Sequence, residues 1–165
     1  MRRFGARSAR GRARPRRGVT LKPRTIMQTL AHLNYLHVLV AAIVGFLLGW
    51  LWYSVFFGKT WAAEMKLTPP GSNDPKPAMG WMLFKGFVCT FLSAVGMAMI
   101  VARWPAYSIV KGAELGAAVG FLVVGTRYLN NGIWEKKSVK LLSINVGHDV
   151  VLFALMGAIL AAWAL

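Results

Sequence analysis

Hydrophobic residues gather in four long runs along the chain, with short polar segments between them. Each run is close to the roughly 20 residues that a helix needs to cross about 30 Å of hydrocarbon. A helix of a soluble bundle keeps a polar stripe, and runs such as VLVAAIVGFLLGWLW and VVLFALMGAILAAWAL have none. The pattern predicts an all-α integral membrane protein, with four transmembrane helices in an antiparallel bundle and both termini on one side. The predicted helices lie near Tyr35 to Phe57, Gly80 to Ala102, Tyr107 to Tyr128 and Leu141 to Ala164.

The segments between the runs predict how the spans are connected. Residues 62–79 contain TPPGSNDPKP, whose prolines and glycine stop a helix and predict a polar exposed loop. The second connection, around Arg103 and Pro105, is so short that it predicts a tight antiparallel hairpin of the second and third spans. The third connection, NNGIWEKKSVK, carries a turn signal at Asn131 and Gly132.

Composition agrees with a membrane protein and divides the chain in two. Of 165 residues, 56% are hydrophobic and 15% are charged, which is too apolar for a soluble domain of this size. Ten of the twenty Lys and Arg residues precede residue 25. Residues 1–26 therefore predict a disordered Arg-rich arm, followed by a membrane domain over residues 27–165. The remaining ten basic and five acidic residues give no reason to expect a nucleic-acid partner, and the expected partner is the lipid bilayer.

Three interpretations of the arm remain open. It binds anionic lipid headgroups, it is a targeting segment, or it is translated upstream of a true start at Met27. The choice decides the orientation, because Lys and Arg in short flanks favour the cytoplasmic side. With the arm, twelve Lys and Arg lie on the side of the termini against eight on the other, which predicts both termini inside. From Met27 onward the numbers are two and eight, which predicts both termini outside.

Polar residues within the runs collect on one face of the membrane. An ionisable residue at mid-depth costs roughly 2.5 to 3.5 kcal/mol on insertion scales, so each one needs an explanation. In an antiparallel bundle, the ends of the first and third runs share a face with the starts of the second and fourth. That face receives Trp52, Tyr53, Ser54, Lys59, Trp61, Lys85, Arg127, Tyr128, Asn130, Asn131, Asn145, His148 and Asp149.

The fourth run places three of these residues on one side of a helix. Asn145, His148 and Asp149 lie at i, i+3 and i+4, and Arg127 or Tyr53 is the expected partner. We interpret them as hydrogen-bonded contacts between helices, at about 0.6 kcal/mol each, in preference to a proton relay or a solute site. No cofactor or metal site is predicted, because adjacent His and Asp side chains point about 100° apart on a helix. The predicted polar pocket consists of Tyr53, Ser54, Arg127, Asn130, Asn145, His148 and Asp149.

Small residues in the third run predict a close helix contact. Gly112, Gly116 and Gly120 form a ladder with a spacing of four residues. Packing within the bundle is the favoured interpretation, and a homo-oligomer held through these glycines is the alternative. The single cysteine, Cys89, is expected to be a buried small side chain.

No soluble-enzyme motif is present: the chain has no phosphate loop, no HExxH and no pair of CxxC motifs. The sequence therefore favours a non-enzymatic scaffold or interaction protein of the membrane. A small oligomeric transporter with a polar site at His148 and Asp149 is the alternative. A membrane-embedded enzyme, with Tyr53, His148 and Asp149 as acid or base groups, is the least favoured.

Two stretches resemble a known family, the bacterial membrane proteins of domain of unknown function 1761. One is NYLHVLVAAIVGFLLGWLWYSVFFGKTW, and the other is GAAVGFLVVGTRYLNNGIWEKKSVKLLSINVGHDVVLFALMGAILAAW. The resemblance covers about residues 33–163 and implies a compact four-span protein of the bacterial inner membrane, with no reaction attached to it. It is carried by Gly49, Trp52, Tyr53, Ser54, Phe57, Gly58, Trp61, Asn130, Asn131, Asn145, His148 and Gly157.

Overall fold

A computed structural model describes residues 25–66, 79–104 and 108–163, and within these ranges every regular element is a helix. Four of the helices are long and apolar enough to cross a membrane, which confirms the predicted all-α fold with four spans. The predicted loop TPPGSNDPKP and the first 24 residues of the arm lie outside the described residues. The helices are α1 (Ile26–Ala31), α2 (Tyr35–Phe56), α3 (Gly58–Glu64), α4 (Met79–Arg103), α5 (Ile109–Trp134) and α6 (Val139–Ala162).

Polar caps set where four of these helices begin. The hydroxyl of Thr25 and the side chain of Gln28 form a capping box at α1. The Asn34 side chain accepts hydrogen bonds from the first amides of α2. Ser108 and Ser138 do the same for α5 and α6. These residues satisfy amides that have no partner within the helix, and an unsatisfied amide costs several kcal/mol in lipid.

The fourth span, α6, lies at the centre of the bundle. In an apolar stretch of 18 residues within α6, 50% of the residues are buried, whereas 22% are buried in the corresponding stretch of each of the other three spans. Helix α6 contacts α2, α4 and α5, and α2 also packs against α4. The prediction of a tight hairpin between the second and third spans is wrong, because α5 packs along α6 rather than along α4. The apolar core where α2, α4 and α6 meet contains Val38, Ala41, Ala42, Ala94, Met97, Ala98, Val101, Leu152, Phe153, Met156 and Leu160.

The glycine ladder of α5 accounts for its close approach to α6. A methyl group on Gly112 would come within 2.3 Å of the Gly157 carbonyl oxygen, and one on Gly116 within 1.9 Å of the Phe153 carbonyl oxygen. Both glycines and Gly120 are buried. Without a hydrophobic driving force in lipid, such backbone contact is a main source of helix association. The ladder packs against α6 within the chain, and all three glycines are covered there.

The turn predicted at Asn131 and Gly132 is wrong, because α5 continues through both residues to Trp134. Gly132 is buried, and a methyl group there would lie 2.2 Å from Cδ2 of Leu142. The glycine therefore permits helix contact and does not form the turn. The chain reverses later, where Lys136 adopts a positive φ of 53°.

The two ends of the bundle differ in what they carry. The terminal end holds Tyr35, Arg103, Ile109 and Ala162, and the loop end holds Phe56, Met79, Trp134 and Val139. At the terminal end, the Arg103 Nε donates to the Thr29 hydroxyl over 3.0 Å and so connects α4 to α1. Cys89 is exposed on α4, which contradicts the expectation that it is buried.

A polar cluster between α2, α5 and α6

The last turns of α2 form a π-helix over Leu51–Phe56. A π-helix bonds i to i+5 and so holds more residues per turn than an α-helix; such segments are frequent at functional sites. Ser54 adds to this distortion, because its hydroxyl donates to the carbonyl of Trp50. Within this widened segment the neighbouring residues Trp52 and Tyr53 both bond to α6.

Asn145 of α6 is the centre of the resulting network. Its Oδ1 accepts a hydrogen bond from the Tyr53 hydroxyl over 2.8 Å. Its Nδ2 donates to the Tyr128 hydroxyl over 2.7 Å and to the Leu141 carbonyl over 3.0 Å. The amide is only 9% exposed, yet both of its donors and its acceptor are engaged. One side chain thereby joins three of the four spans.

Trp52 forms a second bond between α2 and α6. Its indole Nε1 donates to the Ile144 carbonyl over 3.0 Å. The ring also lies next to Gly147, where a methyl group would be at an ordinary contact distance of 3.4 Å from Cζ2 of Trp52. Packing against α6 is thus combined with a hydrogen bond to its backbone.

His148 lies beside this network with one ring nitrogen unsatisfied. Its Nδ1 lies 3.2 Å from Oδ1 of Asp149, and its ring centroid lies 4.9 Å from that of Tyr53. His148 is 9% exposed, and its Nε2 is buried with no hydrogen-bond partner among the described residues. A methyl group on Gly49 would lie 3.5 Å from this nitrogen. A neutral imidazole that donates from Nδ1 to Asp149 therefore presents a bare lone pair at Nε2.

A second π-helix, Gly120–Gly125 of α5, lies against the same part of α6. A methyl group on Gly120 would lie 2.7 Å from the Asp149 carbonyl oxygen, and one on Gly125 would lie 3.0 Å from Cγ1 of Val146. Tyr128, which bonds to Asn145, follows directly in the next turn. Both outer helices are thus distorted where they meet the cluster.

The acidic member of the cluster lies deep in the bundle. Asp149 is ten residues from the first residue of α6, Val139, which is roughly 15 Å at about 1.5 Å per residue. That distance corresponds to the middle of a hydrocarbon core about 30 Å thick. The Asp149 side chain is 21% exposed, and a carboxylate at this depth is costly unless it is paired.

Charged side chains surround the loop end of the cluster. Lys137, in the turn between α5 and α6, lies 5.3 Å above the Tyr128 ring and pairs with Glu135 over 2.5 Å. The Glu135 carboxylate raises the pKa of the Lys137 ammonium, since it favours the charged form. The Ser138 hydroxyl donates to Glu64 of α3 while it caps α6. A cation and an anchored short helix therefore border the cluster at this end.

The structure brings four of the seven predicted pocket residues together: Tyr53, Asn145, His148 and Asp149. It does not bring in the other three. Among the described residues, the exposed Ser54 bonds to its own helix and the exposed Asn130 makes no bond to the network. The exposed Arg127 donates from Nη1 to Asn131 over 2.5 Å. Of the two partners expected for the α6 residues, Tyr53 bonds to Asn145 and Arg127 does not.

Trp52 and Tyr128 belong to the network although the predicted pocket omitted them. The sequence places both residues on the same membrane face as the predicted pocket. On α5 that pocket includes Arg127 and omits its neighbour Tyr128, although adjacent residues on a helix point about 100° apart. The signal that favours Tyr128 is chemical, because an aromatic ring with one hydroxyl suits a half-buried site better than a guanidinium does.

The arrangement as a whole is a set of hydrogen bonds between helices beside one unsatisfied imidazole nitrogen. Within the described residues, no group of three or more His, Cys, Asp and Glu side chains is placed to hold a metal ion. The cluster can fix the register of α2 and α5 on α6. It also contains one acid and base pair, His148 and Asp149, in a setting of low polarity.

Four apolar spans, three of them packed against the central α6, with polar residues paired between them, define a multi-pass helical membrane protein. The family model for the protein of unknown function DUF1761 matches residues 36–161. The chain therefore belongs to the DUF1761 family, and the matched range contains every residue of the polar cluster. No curated protein and no solved structure matches the chain.

Proposed function

We propose that the protein is a non-enzymatic interaction or scaffold protein of the membrane. The membrane we propose is the bacterial inner membrane, as the family resemblance implies. The observation that carries the proposal is the start of α4. All seven residues from Met79 to Lys85 are exposed. Because successive residues turn by about 100°, seven in a row cover the whole circumference of the helix. This segment, the α4 arm, has its full surface open to another protein.

The residues of the α4 arm are those that protein interfaces favour. Trp81 is 58% exposed and Phe84 is 54% exposed, and their rings stack with centroids 5.4 Å apart. The ammonium of Lys85 lies 5.4 Å from the centre of the Trp81 ring. Aromatic residues and methionine are enriched at interfaces, and tryptophan is one of the residues enriched at their hot spots. We propose a second copy of the chain as the partner. The contact is made through the α4 arm and not through the glycine ladder, which is covered by α6.

Disulfide crosslinking in native membranes tests this contact. The protein with Cys89→Ser receives a single cysteine by Met82→Cys, at a residue of the α4 arm that is 52% exposed, and the matched control receives it by Leu122→Cys, at a residue that is 64% exposed on α5. Under mild oxidation we expect a crosslinked dimer from Met82→Cys and much less from Leu122→Cys. Equal yields from the two variants would show that the α4 arm faces lipid and would overturn the proposed contact. A crosslink to a different protein would support an interaction role and exclude self-association.

The second candidate function is a small transporter, and the unsatisfied Nε2 of His148 favours it. A proton path needs a group that can gain and lose a proton, and this nitrogen has no competing bond within the described residues. The scaffold proposal is supported by the rest of the cluster, where the hydroxyls of Tyr53 and Tyr128 and the amide of Asn145 are engaged with one another.

His148→Ala and Asp149→Asn distinguish the two candidates. Membrane abundance and proton flux into liposomes containing a pH-sensitive dye are measured for each variant. Normal abundance with loss of a proton flux seen in the unchanged protein would support the transporter and overturn the scaffold. No flux in the unchanged protein, together with reduced abundance of His148→Ala and undiminished abundance of Asp149→Asn, is the result expected for a scaffold.

A further inference from the structure

A cavity of about 220 Å³ opens at the terminal end of the bundle, far along α6 from the polar cluster. It lies between the turn from α1 to α2, the last turns of α4 and the end of α6. Its floor includes Val38, Val101 and Leu160, which are 1%, 4% and 7% exposed. The floor therefore belongs to the apolar core itself, and the cavity reaches down between three spans.

Polar and aromatic side chains form the upper part of this cavity. His32, Asn34, His37 and Trp163 line it. The rings of His37 and Trp163 stack, with centroids 4.6 Å apart and planes inclined by 16°. The Nδ2 of Asn34 lies 3.3 Å from Nε2 of His37, while the Oδ1 of Asn34 caps α2. The cap fixes the amide so that its donor side faces the imidazole.

Charge distinguishes this cavity from a site for an anionic headgroup. The described residues that line it include no Lys, Arg, Asp or Glu. Its polar groups are imidazole and amide nitrogens, which donate to neutral acceptors such as a carbonyl oxygen. Its flat wall is a stacked aromatic pair, against which another planar ring can pack. The lining thus combines neutral donors, an aromatic surface and an aliphatic floor.

We propose that this cavity binds the head group of a neutral, carbonyl-bearing ring amphiphile of the quinone type. The ring packs by His37 and Trp163, and a ring carbonyl accepts a hydrogen bond from an imidazole or amide nitrogen. The volume is below the roughly 300–1,000 Å³ of pockets for drug-sized ligands, so it holds one ring and leaves an apolar tail in the lipid. The inference concerns binding alone and is independent of the proposed scaffold role.

The full-length protein in detergent micelles or lipid nanodiscs is titrated with a ubiquinone that carries one isoprene unit. Quenching of tryptophan fluorescence reports binding, and Trp163→Phe identifies the share that comes from the cavity. His37→Phe keeps an aromatic ring beside Trp163 and removes the donor. Ala102→Phe adds bulk at an exposed residue that lines the cavity. Leu36→Phe, at a residue that is 66% exposed at the same end and does not line the cavity, is the matched control.

We expect saturable binding to the unchanged protein and to Leu36→Phe. For His37→Phe and Ala102→Phe we expect the affinity to fall by about tenfold or more. Quenching that rises without saturation, or that is equal in Ala102→Phe and Leu36→Phe, would show partition into the micelle and overturn the site. Displacement of the quinone by lysophosphatidylglycerol at lower concentration than by a neutral quinone analogue would overturn the ligand class.

Discussion

The hydroxyl of Tyr53 lies 2.8 Å from Oδ1 of Asn145, a residue 92 positions later in the chain. This bond joins the first and fourth spans near the point where the π-helical end of α2 meets α6. The same amide donates to Tyr128 of the third span. In lipid, where helices gain little from burying apolar surface, such bonds select one arrangement of the helices over others.

Removal of the Tyr53 hydroxyl is expected to destabilise the bundle. In Tyr53→Phe, the Asn145 Oδ1 loses its donor in a buried position. Interhelical bonds average about 0.6 kcal/mol and an unsatisfied buried group costs about 1–3 kcal/mol, so we expect a loss of about 1 kcal/mol in the free energy of unfolding. Unfolding in mixed micelles of increasing SDS content measures it.

Tyr35→Phe is the matched control, because the Tyr35 hydroxyl donates to the Leu30 carbonyl at an exposed position. It should change the free energy of unfolding far less. The double variant Tyr53→Phe with Asn145→Leu removes both partners and should show a coupling energy between the two sites. Strict additivity of the two single changes would contradict the bond.

Gly116→Ala is expected to separate α5 from α6. The added methyl group would lie 1.9 Å from the Phe153 carbonyl oxygen, and neither backbone can move without displacing its helix. Overpacking of this kind costs about 1–3 kcal/mol or more. The expected result is lower resistance to SDS and reduced abundance in the membrane.

Gly96→Ala on α4 supplies the control for this substitution, because beyond its own helix backbone a methyl group there meets nothing within 4 Å. Alanine is the better helix former by about 1 kcal/mol, so this variant should be as stable as the unchanged protein or more stable. Equal behaviour of the two variants would disprove close packing of α5 on α6.

The four spans could be predicted from the sequence because their length and hydropathy depend on local composition alone. Their neighbours in space could not be. The short connection after Arg103 suggested that α4 pairs with α5, but Gly112 and Gly116 bring α5 to α6 instead. Which helix packs against a row of glycines depends on the surface shape of that other helix. The order of the spans along the chain does not reveal this shape.

The candidate site was predicted in part for a related reason. The spacing of three and four residues correctly predicted that Asn145, His148 and Asp149 lie together on α6, because this prediction requires only that one helix is regular. Arg127 and Ser54 were misplaced because each lies in or beside a π-helical segment. Each π-helical segment rotates every later side chain about the helix axis. No simple residue pattern predicts such a segment.

Asp149→Asn is expected to stabilise the protein. The amide oxygen of the new side chain can still accept from Nδ1 of His148, while the cost of a carboxylate near mid-membrane, roughly 2.5 to 3.5 kcal/mol on insertion scales, is removed. We expect a gain of about 1 kcal/mol in the free energy of unfolding, because partial exposure of the carboxylate already reduces the cost. A loss of stability would show that the charge itself holds the helices together.

Glu114→Gln is the matched control for this change. Glu114 pairs with Lys111 at 2.7 Å, and both side chains are more than half exposed at the terminal end of the bundle. Surface pairs of this kind contribute about 0 to 1 kcal/mol, so the variant should differ little from the unchanged protein. The contrast between the two acids separates the effect of depth from that of charge.

Cysteine labelling should place Met27 and Ser138 on opposite sides of the membrane. Met27 is 75% exposed in α1 at the terminal end, and Ser138 caps α6 at the loop end. In a Cys89→Ser background, a maleimide that cannot cross membranes should label one of Met27→Cys and Ser138→Cys in intact cells and the other only after permeabilisation. Labelling of both in intact cells would contradict the three complete spans that lie between them. The same two variants, made with and without residues 1–26, also test how the ten basic residues before residue 25 affect the orientation of the protein. The positive-inside rule predicts that removal of these residues exchanges which of the two cysteines is labelled in intact cells.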